Sequence, residues 1–258
     1  MGRFAEQRAF LKTDFSLLKD IQTGAKKGES QPPREKAIPQ NAETIVLPLP
    51  DGKCISKSNV FECIKNRKSV RKYVDKALSL EELSYLLWAS QGVTEIQSNG
   101  KAKRTVPSAG ATYTFESYLF IQNVETLKQG IYRYLPFQNK LVLIKPVEDI
   151  ARLINEVTAA EKQPFLPYFA GKANVIFAWS TIPYRSEWKF DIQAHKKILI
   201  DAGHVCQNLY IAGESIDTGI CAIGIYDQNA IDNVLGLDGD EELVIYLAAA
   251  GKNITSAY

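Results

Sequence analysis

Apolar residues recur at helical spacing in two long stretches of the chain. The first begins at Ser79, which forms a capping box with Glu82 and precedes leucines at positions 80, 83, 86 and 87. The second runs from about Ala194 to Ser215, where apolar residues cover most of the surface, and this predicts a long buried helix. Shorter helices are predicted for residues 1–20, a segment from residue 59 to the cations near 67, residues 149–159 and residues 229–235.

Six other stretches are rich in aromatic and β-branched residues, which is typical of strands. They lie at residues 115–122, 130–135, 140–144, 174–180, 220–226 and 243–249. Residues 136–139 predict a hairpin turn between the second and third, and residues 43–48 predict an extended segment. Helices interspersed with mostly hairpin-like strands predict an α+β sandwich, in which helices flank a largely antiparallel sheet.

The N-terminal part differs in composition from the rest of the chain. Residues 23–41 are rich in Lys, Gly, Ser, Gln and Pro, a composition that cannot fold on its own and predicts a linker or a segment draped over a surface. We therefore divide the chain into an N-terminal helix and extended arm, residues 1–58, and a folded domain, residues 59–258. The 258 residues, 45% of them hydrophobic, can bury one sizeable core.

Charge and cysteine content exclude several classes of protein. The net charge of +2 gives no general attraction to nucleic acid or to an anionic membrane. No apolar run approaches the ~20 residues that span a bilayer, and residues 1–18 contain no signal-peptide core, so we expect a cytoplasmic protein. Four separated cysteines and two histidines form no pattern typical of a disulfide framework, a zinc site or another metal site.

The segment Arg67-Lys68-Ser69-Val70-Arg71 is a dense cation cluster that also carries a hydroxyl group. Arg67, Ser69 and Arg71 alternate, so in an extended segment they can point together at one anion. Two guanidinium groups and a hydroxyl suit a phosphate. Lys68 alternates with them and can face away. Taken alone, such a run is more often a solvated basic surface.

Two turns of small residues could approach a flat ligand closely. Pro107-Ser108-Ala109-Gly110 combines a fixed φ, a hydroxyl and minimal side chains, and Gly219–Gly224 follows the long helix. Their ordinary interpretations are a helix-start turn capped by Ser108 and a bulge at a sheet edge. Together with the cation cluster they suggest a phosphate clamp and two backbone walls around a flat cofactor with a phosphorylated tail.

The ordered motifs R-x-S-x-R, P-S-A-G-A-x-Y and G-x-C-x-I-G resemble those of the nitroreductase superfamily of FMN-dependent oxidoreductases. The closest branch is similar to the SagB-type dehydrogenases, which oxidise azolines in thiazole- and oxazole-containing peptides. The resemblance runs from about Val60 to Lys252 and includes residues 79–89 and 201–209. It implies the nitroreductase-like sandwich, a homodimer with flavin at the subunit interface, and hydride transfer through the flavin N5 atom.

The resemblance also implies which residues contact FMN. The cation cluster would hold the phosphate and ribityl chain, and the Pro107–Gly110 turn would reach the flavin of the partner subunit. The backbone of Ala222, Ile223 and Gly224 would lie along the ring edge, where the N–H groups of Ile223 and Gly224 reach N5 and O4 and stabilise the reduced form. Lys252 is the basic residue beyond the last strand that can complete the phosphate site.

Lys189 is the predicted catalytic residue. It matches the lysine of a Lys-Tyr pair associated with azoline oxidation, a reaction that requires a proton to be removed. Phe190 has no hydroxyl, and the stretch from Gln193 to Lys196 also departs from the sequence typical of that branch. The alternative is a surface lysine whose stem packs on Trp188.

The leading hypothesis is therefore a homodimeric FMN enzyme that transfers hydride by a ping-pong scheme. Its partners would be NAD(P)H and a small-molecule or peptide substrate. No G-x-G-x-x-G motif follows a predicted strand, so nicotinamide would be a transient ligand. The alternatives are a dedicated azoline dehydrogenase and a non-catalytic flavin-holding scaffold that docks with a peptide-modifying partner through its N-terminal arm.

Overall fold

A seven-stranded sheet forms the centre of the protein in a computed structural model that describes residues 2–98, 102–162 and 168–253. The helices are α1 (Ala5–Phe10), α2 (Val60–Asn66), α3 (Leu80–Gln91), α4 (Ile150–Val157), α5 (Tyr184–Phe190), α6 (Ala194–Ser215) and α7 (Gln228–Leu235). The strands are β1 (Thr44–Val46), β2 (Val93–Ile96), β3 (Ala102–Arg104), β4 (Phe115–Ile121), β5 (Gly130–Leu135), β6 (Lys140–Pro146), β7 (Val175–Thr181), β8 (Thr218–Ile223) and β9 (Leu243–Lys252).

The strands of the large sheet follow the order β1-β6-β5-β4-β7-β9-β8, and every neighbouring pair is antiparallel. β2 and β3 form a separate two-stranded ribbon. The central strands β4 and β7 are buried at every position, because helices cover both faces of the sheet. The predicted hairpin at residues 136–139 joins β5 to β6 and is confirmed.

Two apolar cores lie on the opposite faces of the sheet. Helices α3 and α6 contribute Leu83, Leu86, Val205 and Leu209 to the first core. Helices α4 and α7 contribute Ile150, Ile154, Ile231 and Leu235 to the second. The helix–sheet–helix layering is the predicted α+β sandwich, and the largely antiparallel sheet is confirmed.

The helix boundaries follow local signals in the sequence. The Ser79 hydroxyl accepts the Glu82 N–H, and the Glu82 carboxylate accepts the Ser79 N–H, so the predicted capping box is present. α6 has its predicted bounds. β8 occupies residues 218–223 and not 220–226, because Asp227 caps α7 by accepting the Ala230 N–H. The predicted helix at residues 1–20 is also shorter, with α1 followed only by a 3₁₀ turn at Phe15–Leu18.

The N-terminal arm is draped over the sheet. Arg185 donates to the Pro33 carbonyl, Arg104 to that of Arg34, and Arg133 to those of Lys36 and Ala37. β1 pairs with β6 at the sheet edge. The boundary at residues 58/59 stays a prediction. Among the described residues, no helix is long and apolar enough to cross a membrane.

Candidate functional site

The cation cluster lies where α2 ends against the edge strand β8. Past Arg67 the chain becomes extended, Ser69 forms a parallel bridge with Ile220, and the Val70 N–H donates to the Ile220 carbonyl at 2.9 Å. A Cβ at Gly219 would lie 2.6 Å from the Val70 side chain, so only glycine permits this close approach. The first and third sequence motifs are therefore in direct contact.

The Tyr210 side chain on α6 connects these two motifs. Its hydroxyl accepts the Ala222 N–H at 2.8 Å and lies 2.9 Å from the Ser69 hydroxyl. The Arg67 guanidinium carbon lies 5.3 Å from the centre of the Tyr210 ring, within the range of a cation–π contact. The sequence analysis did not single out Tyr210, which lies within the long buried helix that it predicts. The signal it missed is that a tyrosine hydroxyl on a buried helix needs a partner.

The cations of this group have no carboxylate partner among the described residues. Lys68 and Arg71 are exposed and Arg67 is half-buried, and none of them forms an ion pair there. Arg71 lies beside the Cys221 thiol. Burial raises the pKa of this thiol, and the positive charge of Arg71 partly offsets that rise. Two guanidinium groups and a hydroxyl next to a strand edge can therefore bind an anion such as a phosphate.

The Pro107–Gly110 turn is fixed by a second side chain of α6. The Asp201 carboxylate accepts the Ala109 N–H at 3.1 and 3.2 Å from its two oxygens. Burial raises the pKa of Asp201. Ser108 accepts the Tyr113 N–H at 3.0 Å, and this closes the turn on itself. Gly110 has φ 60°, a conformation that favours glycine.

Lys189 and Phe190 pack against this turn. The Lys189 ammonium donates to the Gly110 carbonyl at 2.9 Å, and a Cβ at Gly110 would lie 2.6 Å from the Phe190 ring. The Lys197 ammonium lies 4.6 Å from the centre of the Phe190 ring, and burial lowers the pKa of Lys197. Lys189 thus points to the turn. Its catalytic role stays a prediction.

The structure does not bring all predicted site residues together within one chain. The turn is held by Asp201 and the cation cluster by Tyr210, nine residues further along α6, a rise of about 14 Å at about 1.5 Å per residue. Gly224 is exposed at the end of β8, and apart from its chain neighbours no residue has an atom within 4 Å of where its Cβ would be, whereas Ile223 is buried in the second core.

The Lys252 side chain has its partner outside the cation cluster. Its ammonium pairs with the Glu82 carboxylate at the start of α3, and its N–H donates to Asn174 at 2.9 Å. The Lys252 side chain is buried, and a buried ammonium needs a charged partner. The structure therefore places Lys252 on Glu82 and not on Tyr210, and its part in a phosphate site stays a prediction. Among the described residues, no group of His, Cys, Asp and Glu side chains could hold a metal.

A family model described as Nitroreductase family matches residues 64–252. A Methanocaldococcus jannaschii protein named as a nitroreductase is 29% identical over 212 residues, which cover 82% of this chain and 98% of that protein. The sequence therefore supports the resemblance over the whole of the α3-to-β9 region.

Solved structures share the fold. A Ralstonia eutropha protein named as a nitroreductase matches with a TM-score of 0.67 and 23% identity, covering 85% of this chain and 93% of that chain. A chain of the Escherichia coli microcin synthetase McbBCD complex, with truncated pro-MccB17 bound, matches with a TM-score of 0.60 and 18% identity over 98% of both chains. An Exiguobacterium sibiricum protein named as a nitroreductase, in complex with FMN, matches with a TM-score of 0.54 and 14% identity, covering 79% of this chain and 93% of that chain.

Proposed function

The chain belongs to the nitroreductase family and is an oxidoreductase, and we propose that it works as a homodimeric FMN enzyme with a ping-pong scheme. Reduced nicotinamide is the proposed electron donor, and a small molecule or a peptide is the second substrate. The observation that carries this proposal is that the Tyr210 side chain contacts Arg67, Ser69 and the backbone of β8. It joins an anion-binding group to a strand edge that a flat ring can approach.

The residues present fit FMN. Arg67, Ser69 and Arg71 would hold the phosphate, because Ser69 and Arg71 are exposed, Arg67 is half-buried, and neither arginine has a carboxylate partner among the described residues. Gly224 leaves open space beside the end of β8, where a side chain would obstruct a ring. When bound, FMN supplies a two-electron carrier that accepts and delivers hydride. The protein's part is to bind and orient the reactants and to donate main-chain hydrogen bonds.

The proposed dimer is supported by the placement of the two halves of the site. The residues of α6 that hold the turn and the cation cluster, Asp201 and Tyr210, are about 14 Å apart along the helix, and we propose that the turn of a partner chain completes the site at the cluster. Apolar side chains on α2 and α6 are unusually exposed and suit an interface between copies of the chain. They are Val60 at 63%, Phe61 at 66%, Ile64 at 59%, Leu199 at 53% and Ile200 at 51% exposure.

The test is to purify the protein, release its cofactor by heat and identify it by mass. Stopped-flow mixing with NADH and NADPH then follows the bleaching of the flavin absorbance. We expect FMN and rapid bleaching by at least one nicotinamide. FAD, or no flavin after reconstitution, would refute the cofactor assignment, and bound FMN without bleaching by either donor would favour a scaffold role.

Azoline dehydrogenation is the second candidate function. Two observations favour it: the alignment with the microcin synthetase chain extends over 98% of this chain, including the arm, and the Lys189 ammonium reaches the Gly110 turn. In this reaction Lys189, in its neutral amine form, would take the proton that aromatisation releases. The assay is a mass loss of two hydrogens in a thiazoline-containing peptide incubated with the oxidised enzyme. An unchanged peptide mass would leave the general oxidoreductase proposal alone.

A further inference from the structure

Residues 22–29 of the N-terminal arm, here called the strap, fold around one side chain of α5. The Ala25 N–H donates to the Trp188 carbonyl at 2.9 Å, and the Trp188 indole donates to the Glu29 carbonyl at 3.0 Å. Tyr184 adds a hydrogen bond to the Glu29 carboxylate at 2.8 Å. The strap therefore holds both the backbone and the ring of Trp188.

The fit of the strap on Trp188 is close. A Cβ at Gly24 would lie 2.7 Å from the Trp188 ring and 2.5 Å from the Glu29 carboxylate. Because these distances are shorter than real Cβ contacts, a side chain at position 24 would push the strap away. Within the strap, the Glu29 N–H donates to the Gly24 carbonyl at 2.9 Å. The strap is thus a closed loop that fits the indole.

The residues after Trp188 are those that touch the Pro107–Gly110 turn. Lys189 donates to the Gly110 carbonyl at 2.9 Å, and Phe190 packs where a Gly110 Cβ would be. α5 then ends at Asp191, a non-glycine residue with φ 51° and ψ −135°. Such a conformation persists only where the surroundings impose it, and it is concentrated at functional sites. Lys189 and Phe190 therefore contact the turn and follow directly after Trp188, the residue that the strap holds.

We infer that Trp188, gripped by the strap, is a positioning residue that sets Lys189 and Phe190 against the Gly110 turn. The inference rests on the proposed function, in which this turn borders the flavin of the partner subunit. It assigns a role to the arm: through Trp188, residues far from the cation cluster determine the geometry of the opposite half of the site. The arm acts on Lys189 and the turn and leaves the phosphate contacts alone.

The first test is amide hydrogen exchange of the full chain with Trp188→Phe, which keeps an aromatic ring but removes the hydrogen bond to Glu29. Trp88→Phe is the matched control, because its indole donates no hydrogen bond among the described residues. We expect faster exchange in the strap and in residues 107–113 for Trp188→Phe only. Faster exchange in the strap with an unchanged turn would overturn the inference. This readout needs neither flavin nor turnover, so it stands even if the proposed function fails.

The second test is a double-mutant cycle on the oxidation of the thiazoline peptide by the oxidised enzyme, followed as the bleaching of the flavin absorbance. We expect Trp188→Phe to slow this step about 2- to 100-fold in the presence of Lys189, the range for residues coupled in one contact network, and less than about 2-fold in Lys189→Ala. FMN affinity should not change. Equal slowing in both backgrounds would mean that Trp188 acts only through general stability and would overturn the inference.

A third variant guards against a folding defect. Gly24→Ala adds one methyl group that displaces the strap from Trp188, and Gly2→Ala adds the same group where no atom lies within 4 Å. Gly24→Ala should reproduce the exchange pattern of Trp188→Phe without altering the indole itself. If its turn exchanges like that of Gly2→Ala, the strap does not act on the turn.

Discussion

Removal of one hydroxyl group, in Tyr210→Phe, should affect both stability and FMN binding. This hydroxyl accepts the Ala222 N–H at 2.8 Å and contacts the Ser69 hydroxyl at 2.9 Å. Phenylalanine keeps the ring under Arg67, so the cation–π contact is preserved. The variant therefore isolates the link between the cation cluster and β8.

The two consequences have different magnitudes. The half-buried Ala222 N–H loses its acceptor, which should lower the free energy of unfolding by about 1–3 kcal/mol. The Ser69 hydroxyl is exposed and can bind water instead, so the loss of its hydrogen bond to Tyr210 costs little stability in the free protein. On binding, however, Ser69 must be ordered anew, at about 0.5–1.5 kcal/mol, which weakens FMN binding about 2- to 12-fold.

The assays are urea unfolding and titration of FMN fluorescence. The matched control is Tyr132→Phe, in strand β5 outside the candidate site. It removes a hydroxyl that donates to the Lys128 carbonyl at 2.9 Å. It should lose some stability and keep the wild-type FMN affinity. If both variants bind FMN alike, or if Tyr210→Phe binds it as tightly as wild type, Tyr210 does not organise the phosphate group.

Four further outcomes are expected. Arg67→Ala or Arg71→Ala should weaken FMN binding by about 1.5–3 kcal/mol each, and Lys68→Ala by less; wild-type titration curves for both arginine variants would exclude the clamp. Lys189→Ala should leave flavin reduction by nicotinamide nearly unchanged, since that step needs no protein base, and should impair azoline oxidation; stopped-flow rates of flavin reduction by NAD(P)H and by a thiazoline peptide decide. Burial raises the pKa of Asp201, so its contribution to stability is greatest below the unfolded pKa and is lost as the pH rises through the folded value. Relative to Asp201→Asn, the wild type should thus lose unfolding free energy above about pH 4 in urea titrations, and a constant difference from pH 3 to 7 would contradict this. Light scattering at micromolar concentration should give about twice the chain mass of 28.8 kDa, and the monomer mass would exclude the dimer.

Elements with local signals could be predicted from the sequence. The capping box at Ser79 and the apolar spacing of α6 depend on residues within a few turns of one another, and the β5–β6 hairpin depends on four turn residues. The sequence predicts the end of β8 three residues too late, at residue 226. Residues 224–226 continue a strand-like composition, but Asp227 already caps helix α7. Local composition could not weigh these two signals against each other.

The connections within the candidate site could not be predicted in this way. Ser69 and Tyr210 are 141 residues apart, and no periodicity relates them. The same holds for the arm, whose composition predicts weak structure. Its backbone is bound by buried arginines, of which Arg185 also pairs with Glu116 at 2.6 Å. Buried charged residues look like surface residues in a sequence, and only the fold reveals that they are paired.

Helix α6 links the two halves of the proposed site. It carries Asp201, which holds the turn, and Tyr210, which holds the cation cluster. A helix transmits little change in length, so the about 14 Å between these residues is fixed. In a symmetric dimer, the Pro107–Gly110 turn of each protomer would lie at the cation cluster of its partner, so this contact would be made twice. FMN bound there would contact both chains, so its affinity and the dimer's stability are thermodynamically linked. A substitution that weakens the dimer should therefore also release FMN, at protein concentrations where the wild type retains it.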